Sequence, residues 1–158
     1  MKPVYPSALR IDDTGTPKGR GVFAVQGFYK GELVEESPVI LLEGPFKELP
    51  PELKKMVFNW GELTGSGKAQ ALALGYGSLF NHDNPANLRY SPDPDNLTMR
   101  FYAVREITPG EELSINYNAG GGVAEWNDDN WFRRMGIVPL IQGGDPKVND
   151  PGLEGRSL

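Results

Sequence analysis

The sequence predicts a mainly β protein with a single domain, and three observations support this prediction. The chain has 158 residues, a length that suits one compact domain of ordinary size. It contains 20 Gly and 14 Pro, which favour many short strands and turns over a helical bundle. Hydrophobic residues make up 39% and charged residues 23%, so the chain can bury a core. We therefore expect short strands with one or two short helices.

The first predicted elements are strands. Residues 22–25 and 32–36 are strand-like runs that flank a turn bounded by Gly27 and Gly31, and this pattern predicts an early β-hairpin. The run Val-Ile-Leu-Leu at 39–42 is apolar and lies between Pro and Gly-Pro, which predicts a buried strand. The sheet is therefore expected to begin within the first quarter of the chain.

A helix and a further strand follow. Residues after Pro51 predict one short helix, because apolar side chains recur at helical spacing at Leu53, Met56, Val57 and Trp60. Residues 97–104 alternate as a strand does, after a polar loop at 92–96. Residues 118–122 predict a flexible link.

Composition excludes several kinds of site and partner. There is no Cys, so disulfides and thiolate zinc sites are excluded, and we expect no metal. The formal net charge is −5 and the pI about 4.9, which disfavours direct nucleic-acid binding and favours a basic protein partner. No apolar run approaches the length that spans a bilayer, and the first residues do not resemble a signal peptide. We therefore expect a soluble, cytoplasmic protein without a membrane partner.

Three short segments carry the strongest pattern in the chain. They read Lys-Gly-Arg-Gly-Val-Phe at 18–23, Phe-Asn-His-Asp-Asn-Pro-Ala-Asn at 80–87, and Gly-Glu-Glu-Leu-Ser-Ile-Asn-Tyr at 110–117. Gly19 and Gly21 lack a Cβ, which lets the main chain turn and approach a ligand closely. Taken alone, a Gly-X-Gly pattern is more often a plain hairpin turn.

In this order and spacing the segments resemble the SET domain of S-adenosylmethionine-dependent lysine methyltransferases, from about residue 19 to residue 117. Residues 74–79 are similar to the glycine-rich lead-in of compact microbial members, and the absence of Cys fits a cysteine-free member. The resemblance implies a β-clip-like fold of short curled sheets, in which the C-terminal part of the domain is threaded through a loop in a knot-like arrangement. The middle and last segments would then lie together.

The resemblance also implies a domain organisation. We expect an N-terminal lead-in at 1–17, the SET core at 18–118, an aromatic segment that packs on the pocket at 119–142, and a flexible tail at 143–158.

The resemblance assigns the cofactor and catalytic residues. Tyr117 would be the catalytic tyrosine and would also contact S-adenosylmethionine. The remaining cofactor-binding residues would be Lys18, Gly19, Arg20, Gly21, Val22, Phe23, Asn81 and His82, with main-chain contacts from Arg20 and Val22. His82 is the only histidine in the chain. Without the flanking match, it would be read as a structural residue.

The same resemblance implies a channel for the substrate lysine, with walls formed by Tyr76, Tyr90, Tyr117 and Trp131. Tyr90 falls where the family carries the aromatic residue that limits how many methyl groups fit, and a Tyr there suggests mono- or dimethylation. An ordinary strand aromatic explains it equally well. Trp126, Trp131 and Phe132 would either line the pocket or cap the core.

Two departures leave other interpretations open. Asp83 stands where Ser is usual with Pro85 one place early, and Asn116 replaces the family's acid. One alternative is therefore a catalytically inactive SET-like module that binds peptides. Another is an unrelated small β domain with a structural or interaction role. Histone, histone-like and ribosomal proteins all suit the charge, and a eukaryotic source would imply the nucleus. The target lysine and the oligomeric state are not encoded in any recognisable motif.

Overall fold

The computed structural model describes residues 1–120 and 130–136, and within them it confirms the prediction of a mainly β fold with few short helices. The strands are β1 Leu9–Asp13, β2 Arg20–Ala24, β3 Leu33–Leu42, β4 Val57–Phe58, β5 Gln70–Ala73, β6 Asn81–His82, β7 Leu88–Asp93, β8 Thr98–Ala103 and β9 Glu112–Ile115. The helices are α1 Pro51–Lys54, α2 Trp60–Thr64 and α3 Asn130–Met135, with 3-10 turns at Phe46–Glu48 and Gly77–Leu79.

The strands form two sheets. One has the order β1-β2-β9-β6 and the other the order β4-β5-β3-β8-β7. In the first sheet β9 pairs antiparallel with β2 and parallel with β6, with Asn81 opposite Ser114 and His82 opposite Ile115. The middle and last motif segments are therefore neighbours, although about 30 residues separate them in the chain.

The core lies between the two sheets and supports the motif strands. Val22 of β2 is opposite Leu113 of β9, and both side chains are fully buried. Phe80, directly before β6, packs on Phe101 of β8 with ring centroids 4.9 Å apart. The other large, fully buried apolar side chains are Leu88, Met99 and Ile107. The backbone that carries the second motif is thus anchored by a buried aromatic contact.

The predicted hairpin is wrong. β2 lies between β1 and β9, whereas β3 lies between β5 and β8, so the two runs belong to different sheets. The segment between them crosses from one sheet to the other and forms a bridge between Phe28 and Ile107. Partners far along the chain therefore displaced the local pairing that the turn residues favoured.

The prediction of one helix after Pro51 is also wrong. α1 ends at Lys54, Val57 and Phe58 pair with β5 as strand β4, and α2 then begins at Trp60. The Asn59 side chain caps α2 by accepting a hydrogen bond from the Glu62 amide at 3.2 Å. A β-branched residue and an aromatic residue take an extended form where a strand partner is available, and this divides the helix.

Two further predictions concern the ends of elements. Residues 39–42 form a strand as predicted, but Ile40 and Leu41 are exposed because this end of β3 pairs only with β5. The predicted link at 118–122 is anchored where it is described, since Ala119 is buried and accepts a hydrogen bond from Tyr90. The predicted strand at 97–104 is confirmed as β8.

The residues before the first motif take part in the sheet. β1, within residues 1–17, pairs along its whole length with β2, from Leu9 opposite Ala24 to Asp13 opposite Arg20. In the described residues there is no helix that is both long and apolar enough to cross a membrane. The predicted tail at 143–158 lies outside the described residues.

Candidate active site

Tyr117 is held by the segment that leads into and forms β6. Its hydroxyl donates a hydrogen bond to the carbonyl oxygen of Phe80 at 2.5 Å, and its amide donates to Nδ1 of His82 at 3.0 Å. Because His82 Nδ1 accepts a hydrogen bond, the neutral ring carries its proton on Nε2. The parallel pairing of β6 with β9 thus places the third motif's tyrosine on the second motif.

An aromatic cluster covers this contact. The His82 ring lies 4.4 Å from the Phe132 ring in an edge-on arrangement and 5.5 Å from the Tyr117 ring. Phe132, in α3, is buried, and its amide donates to the Asn118 side chain at 3.3 Å. Phe132 thus lies beside Tyr117, with ring centroids 6.4 Å apart. Trp126 and the side chain of Trp131, which were expected either to line the pocket or to cap the core, lie outside the described part of the chain.

Burial changes the chemistry of Tyr117. Desolvation and, to a smaller extent, the negative charge of Glu112 raise the pKa of Tyr117 to about 12. The phenol therefore keeps its proton at neutral pH and can donate a hydrogen bond to Phe80 without competing ionisation.

Near Tyr117, polar side chains tie the first motif to the other two. The Asn81 side-chain amide donates to the carbonyl oxygen of Arg20 at 3.0 Å and to Oε1 of Glu112 at 2.8 Å. The ammonium group of Lys18 lies 3.9 Å from Oε2 of Glu112. Gly21 packs directly on this group, since a Cβ there would lie 2.6 Å from Glu112 Oε1 and 3.1 Å from Asn81 Nδ2. Only glycine fits at that position without displacing the contacts.

Tyr117 also lines a cavity of about 630 Å³, whose lining does not include Asn81 or Glu112. Its inner wall is apolar and includes Phe58, Phe80, Tyr90 and Ile115, and charged side chains also line it, namely Lys47, Lys54, Lys55, Arg134 and Glu62. The Tyr90 hydroxyl donates to the carbonyl oxygen of Ala119 at 3.2 Å, and its ring lies 5.0 Å from that of Phe58. Tyr90 and Tyr117 therefore share one cavity.

Tyr76 does not line this cavity with them. Its hydroxyl donates instead to the carbonyl oxygen of Leu9 at 3.2 Å, and its ring packs against the hydrophobic core. Of the four predicted channel residues, the described structure thus brings together Tyr90 and Tyr117.

The two departures from the family pattern leave the local geometry ordered. Asn116 is buried, and its side-chain oxygen accepts a hydrogen bond from the Asn118 amide at 3.0 Å, a role for which the neutral amide suffices. After the irregular residues 83–86, Asn87 donates to the carbonyl oxygen of Glu112 and accepts from the amide of Ser114, both at 2.8 Å. Asn87 therefore braces β9 against this loop.

The sequence analysis assigned no role to Glu112 or to the Phe80 carbonyl. Glu111 and Glu112 are adjacent, and nothing in the sequence says which of them faces the site. Glu111 faces away and pairs with Arg105, at 2.8 Å, and with the turn residue Thr108. A backbone carbonyl such as that of Phe80 has no sequence signal at all, because every residue carries one.

Comparisons with known proteins agree with this geometry. The family model described as the SET domain matches residues 19–118 of the chain. A histone-lysine N-methyltransferase of Schizosaccharomyces pombe, specific for H3 lysine 37, is 40% identical over 146 residues, which cover 90% of this chain and 92% of that protein.

Solved structures include chains of similar fold. The crystal structure of a candidate histone methyltransferase of Plasmodium falciparum has a TM-score of 0.57 at 25% identity, covering 72% of this chain and 95% of that one. An active polycomb repressive complex 2 in the basal state contains a chain with a TM-score of 0.57 at 20% identity, covering 72% of this chain and 15% of that one, a likeness that concerns the fold alone. Because the family model matches residues 19–118 and a relative is 40% identical over 90% of the chain, this chain belongs to the SET domain family.

Proposed function

We propose that this protein is a protein-lysine N-methyltransferase that uses S-adenosylmethionine to methylate a basic, histone-type protein. The observation that carries the proposal is the position of the Tyr117 hydroxyl. It is fixed on the Phe80 carbonyl, Tyr117 lines the cavity, and the Glu112 carboxylate that accepts from Asn81 lies close enough to raise the pKa of the phenol. Membership of the SET family and the 40% identity with a histone-lysine N-methyltransferase support the enzyme class.

The cavity beside Tyr117 suits the side chain of a lysine. A lysine in water has a pKa of about 10.4, so at neutral pH it is protonated and has no lone pair to react. Apolar walls such as Phe58 and Phe80 disfavour the charged ammonium form and lower that pKa. The amine would lose its proton to solvent, and Tyr117 together with main-chain carbonyls would orient the lone pair.

The polar side of Tyr117 suits the cofactor. S-adenosylmethionine, when bound, supplies the activated methyl group as a sulfonium. Its amino-acid part carries one positive and one negative charge, and Lys18 and Glu112 offer the two opposite charges side by side. We assign cofactor binding to residues 18–23, to Asn81 and His82, and to Tyr117. The cofactor would supply this methyl group to the lysine nitrogen, and Tyr117 would hold that nitrogen in position.

Charge supports a basic substrate. The chain carries 21 acidic and 16 basic side chains, and its net charge of −5 attracts a Lys- and Arg-rich protein at long range. The cavity itself is lined by four cations and one carboxylate, so its local charge acts on the entering lysine in the opposite sense and disfavours the ammonium form. The name of the S. pombe relative points to a histone. In a eukaryotic cell, such a substrate would place this protein in the nucleus.

The experiment combines binding with transfer. Calorimetry with S-adenosylmethionine is followed by transfer of a radiolabelled methyl group to core histones, ribosomal proteins and other basic proteins. Tyr117→Phe is the test variant. The matched control is Tyr29→Phe, because Tyr29 is 76% exposed. We expect cofactor binding by all three proteins and histone methylation by wild type and Tyr29→Phe alone. Absence of cofactor binding by the wild type would contradict the proposal, and binding without transfer to any protein would point to the inactive module.

A further inference from the structure

A buried carboxylate outside the site deserves an explanation. Glu35 of β3 is 5% exposed, and among the described residues it has no salt-bridge partner. Removing a carboxylate from water costs free energy unless hydrogen-bond donors replace the water. The hydrogen-bond donors around Glu35 therefore show which parts of the chain this carboxylate holds together.

The donors come from three parts of the chain. Oε2 of Glu35 accepts a short hydrogen bond from the Ser7 hydroxyl, in the N-terminal segment. Oε1 accepts from the Ser37 hydroxyl at 2.9 Å and from the Tyr76 amide at 3.2 Å. Ser37, fully buried, in turn accepts from the Gly77 amide at 3.1 Å. Glu35 thus joins the N-terminal segment and β3 to residues 74–79, which we call the glycine turn.

The glycine turn is fitted closely to this carboxylate. Gly75 has a φ of +65°, and a Cβ there would lie 2.8 Å from Glu35 Oε1. A Cβ on Gly77 would lie 2.6 Å from the Ser37 hydroxyl. Tyr76 adds a second tie to the N-terminal segment through its hydrogen bond to the Leu9 carbonyl at 3.2 Å. The position of the turn is therefore set by Glu35 and Ser37, because glycine alone allows this approach.

The glycine turn leads directly into the site. It ends at Leu79, and the next residue, Phe80, supplies the carbonyl that accepts the hydroxyl of Tyr117 at 2.5 Å. Asn81 and His82 follow. Any shift of the turn would move the oxygen that fixes the reactive tyrosine, and small misplacements of such groups are costly to rate.

We propose that Glu35 is a positioning residue for methyl transfer, which holds the glycine turn and the N-terminal segment together so that the Phe80 carbonyl orients Tyr117. The role rests on the proposed function, in which Tyr117 is catalytic. It acts through geometry and needs only acceptor oxygens, so the negative charge itself is dispensable. A glutamine keeps one acceptor for Ser37 and Tyr76, and its amide can donate to the Ser7 hydroxyl, which accepts as readily as it donates.

The experiment compares four variants in the full chain. Glu35→Ala removes every acceptor, Glu35→Gln keeps the pattern, and Ser7→Ala removes one donor. Glu36→Gln is the matched control, because Glu36 is the adjacent carboxylate of β3 and pairs with Arg100 on its other face, at 2.9 Å. Measurements are kcat, KM for substrate, cofactor affinity by calorimetry, and the melting temperature.

We expect Glu35→Ala to lose about tenfold in kcat with KM and cofactor affinity within about twofold of wild type. Glu35→Gln and Glu36→Gln should retain more than about half of wild-type kcat. Unchanged kcat in a folded Glu35→Ala variant would overturn the proposal, as would a parallel loss of kcat, cofactor affinity and melting temperature. If Glu35→Ala does not fold, Ser7→Ala decides, with a selective loss of kcat supporting the role and an unchanged kcat overturning it.

A second measurement needs no methyl transfer. In protein with ¹³C-labelled tyrosine rings, the Tyr117 signal is assigned by its absence in Tyr117→Phe, and its titration is followed by NMR. Loosening the turn admits water to the phenol, so the variant lacking the acceptors should titrate below the wild type's pKa of about 12. An identical titration would contradict the role of Glu35, and this holds even if the wild type methylates none of the proteins offered.

Discussion

The two sides of Tyr117 are built by different interactions. On the side that we assign to the cofactor, polar groups are joined by direct hydrogen bonds, with Asn81 bridging the Arg20 carbonyl and Glu112. On the cavity side the wall is mainly aromatic, with Phe58 and Tyr90 in edge contact at 5.0 Å. Hydrogen bonds there serve to fix rings, as the Tyr90 hydroxyl does at the Ala119 carbonyl.

The difference suggests how affinity and turnover are divided. Polar contacts between strands fix the shape of a binding surface, so their loss is expected to weaken binding first. An apolar wall acts on the charge state of the reacting amine, so changes there are expected to alter rate or product. Tyr117 belongs to both regions, since its amide is bonded to His82 and the residue also lines the cavity.

The largest effect on turnover should follow removal of the Tyr117 hydroxyl, because Tyr117 belongs to both sides. We expect Tyr117→Phe to lower kcat about 10²- to 10³-fold, because it removes a fixed hydroxyl group that would stabilise the transition state. Cofactor affinity should stay within about threefold, since the ring and the amide contact to His82 remain. Steady-state kinetics and calorimetry measure the two quantities. Equal losses of kcat and of cofactor affinity would mean that the polar side and the cavity side do not act separately on affinity and rate.

The next largest effect should fall on affinity alone. Asn81→Ala leaves the Arg20 carbonyl and the Glu112 carboxylate without their shared donor, so we expect the Kd for S-adenosylmethionine to rise about tenfold. At saturating cofactor, kcat should remain within about threefold. Asn96→Ala, in the polar loop before β8, is the matched control. A fall in kcat at saturating cofactor with an unchanged Kd would contradict the assignment of affinity to the polar side and of rate to the cavity side.

A pH experiment isolates the burial of Tyr117. The pKa of this phenol is raised from 10.0 to about 12, so the folded state favours the protonated form. The stabilisation is therefore fully present below pH 10 and is lost as the pH rises towards 12. We expect the free energy of unfolding of wild type, relative to Tyr117→Phe, to fall by about 2 kcal/mol over that range. Denaturant titrations at each pH measure it, and a flat difference would mean that the phenol is hydrated.

The smallest expected effect concerns the product. Tyr90→Phe removes the hydroxyl that contacts the Ala119 carbonyl and leaves room in the cavity of roughly one water molecule. We expect mass spectrometry to show more highly methylated lysine, with cofactor affinity unchanged. Tyr102→Phe, on β8 outside the cavity lining, is the control. An unchanged ratio of mono-, di- and trimethyllysine would mean that Tyr90 serves only as a strand aromatic.

Several features were readable because they depend on local chemistry. The abundance of Gly and Pro predicted short strands, and residues 97–104 alternated clearly enough to identify β8. The three segments identified the family because their residue types and their order can be read from the sequence without any knowledge of the fold. Gly21 is an example: the sequence shows that this residue lacks a Cβ, and the structure then shows that Glu112 and Asn81 leave no room for one.

Other features depend on partners far along the chain. The hairpin prediction was wrong because β2 pairs with β9 and β3 pairs with β8 instead of with each other. The prediction of a single helix was wrong because Val57 and Phe58 pair with β5. Local propensity is weak compared with burial and strand pairing, so it loses whenever the two disagree. The same holds for Tyr76, whose neighbours in the sequence did not reveal that its hydroxyl reaches Leu9.

The sequence by itself therefore determined the class of fold, the family and the residue types available for chemistry, because those depend on composition and on short ordered motifs. Tertiary structure alone decided that β6 lies parallel to β9, that Glu112 and not Glu111 faces Asn81, and that Glu35 supports the turn before Phe80. Each of these contacts joins residues separated by about 30 or more positions. Such contacts are selected by the packing of the whole core, which no short stretch of sequence contains.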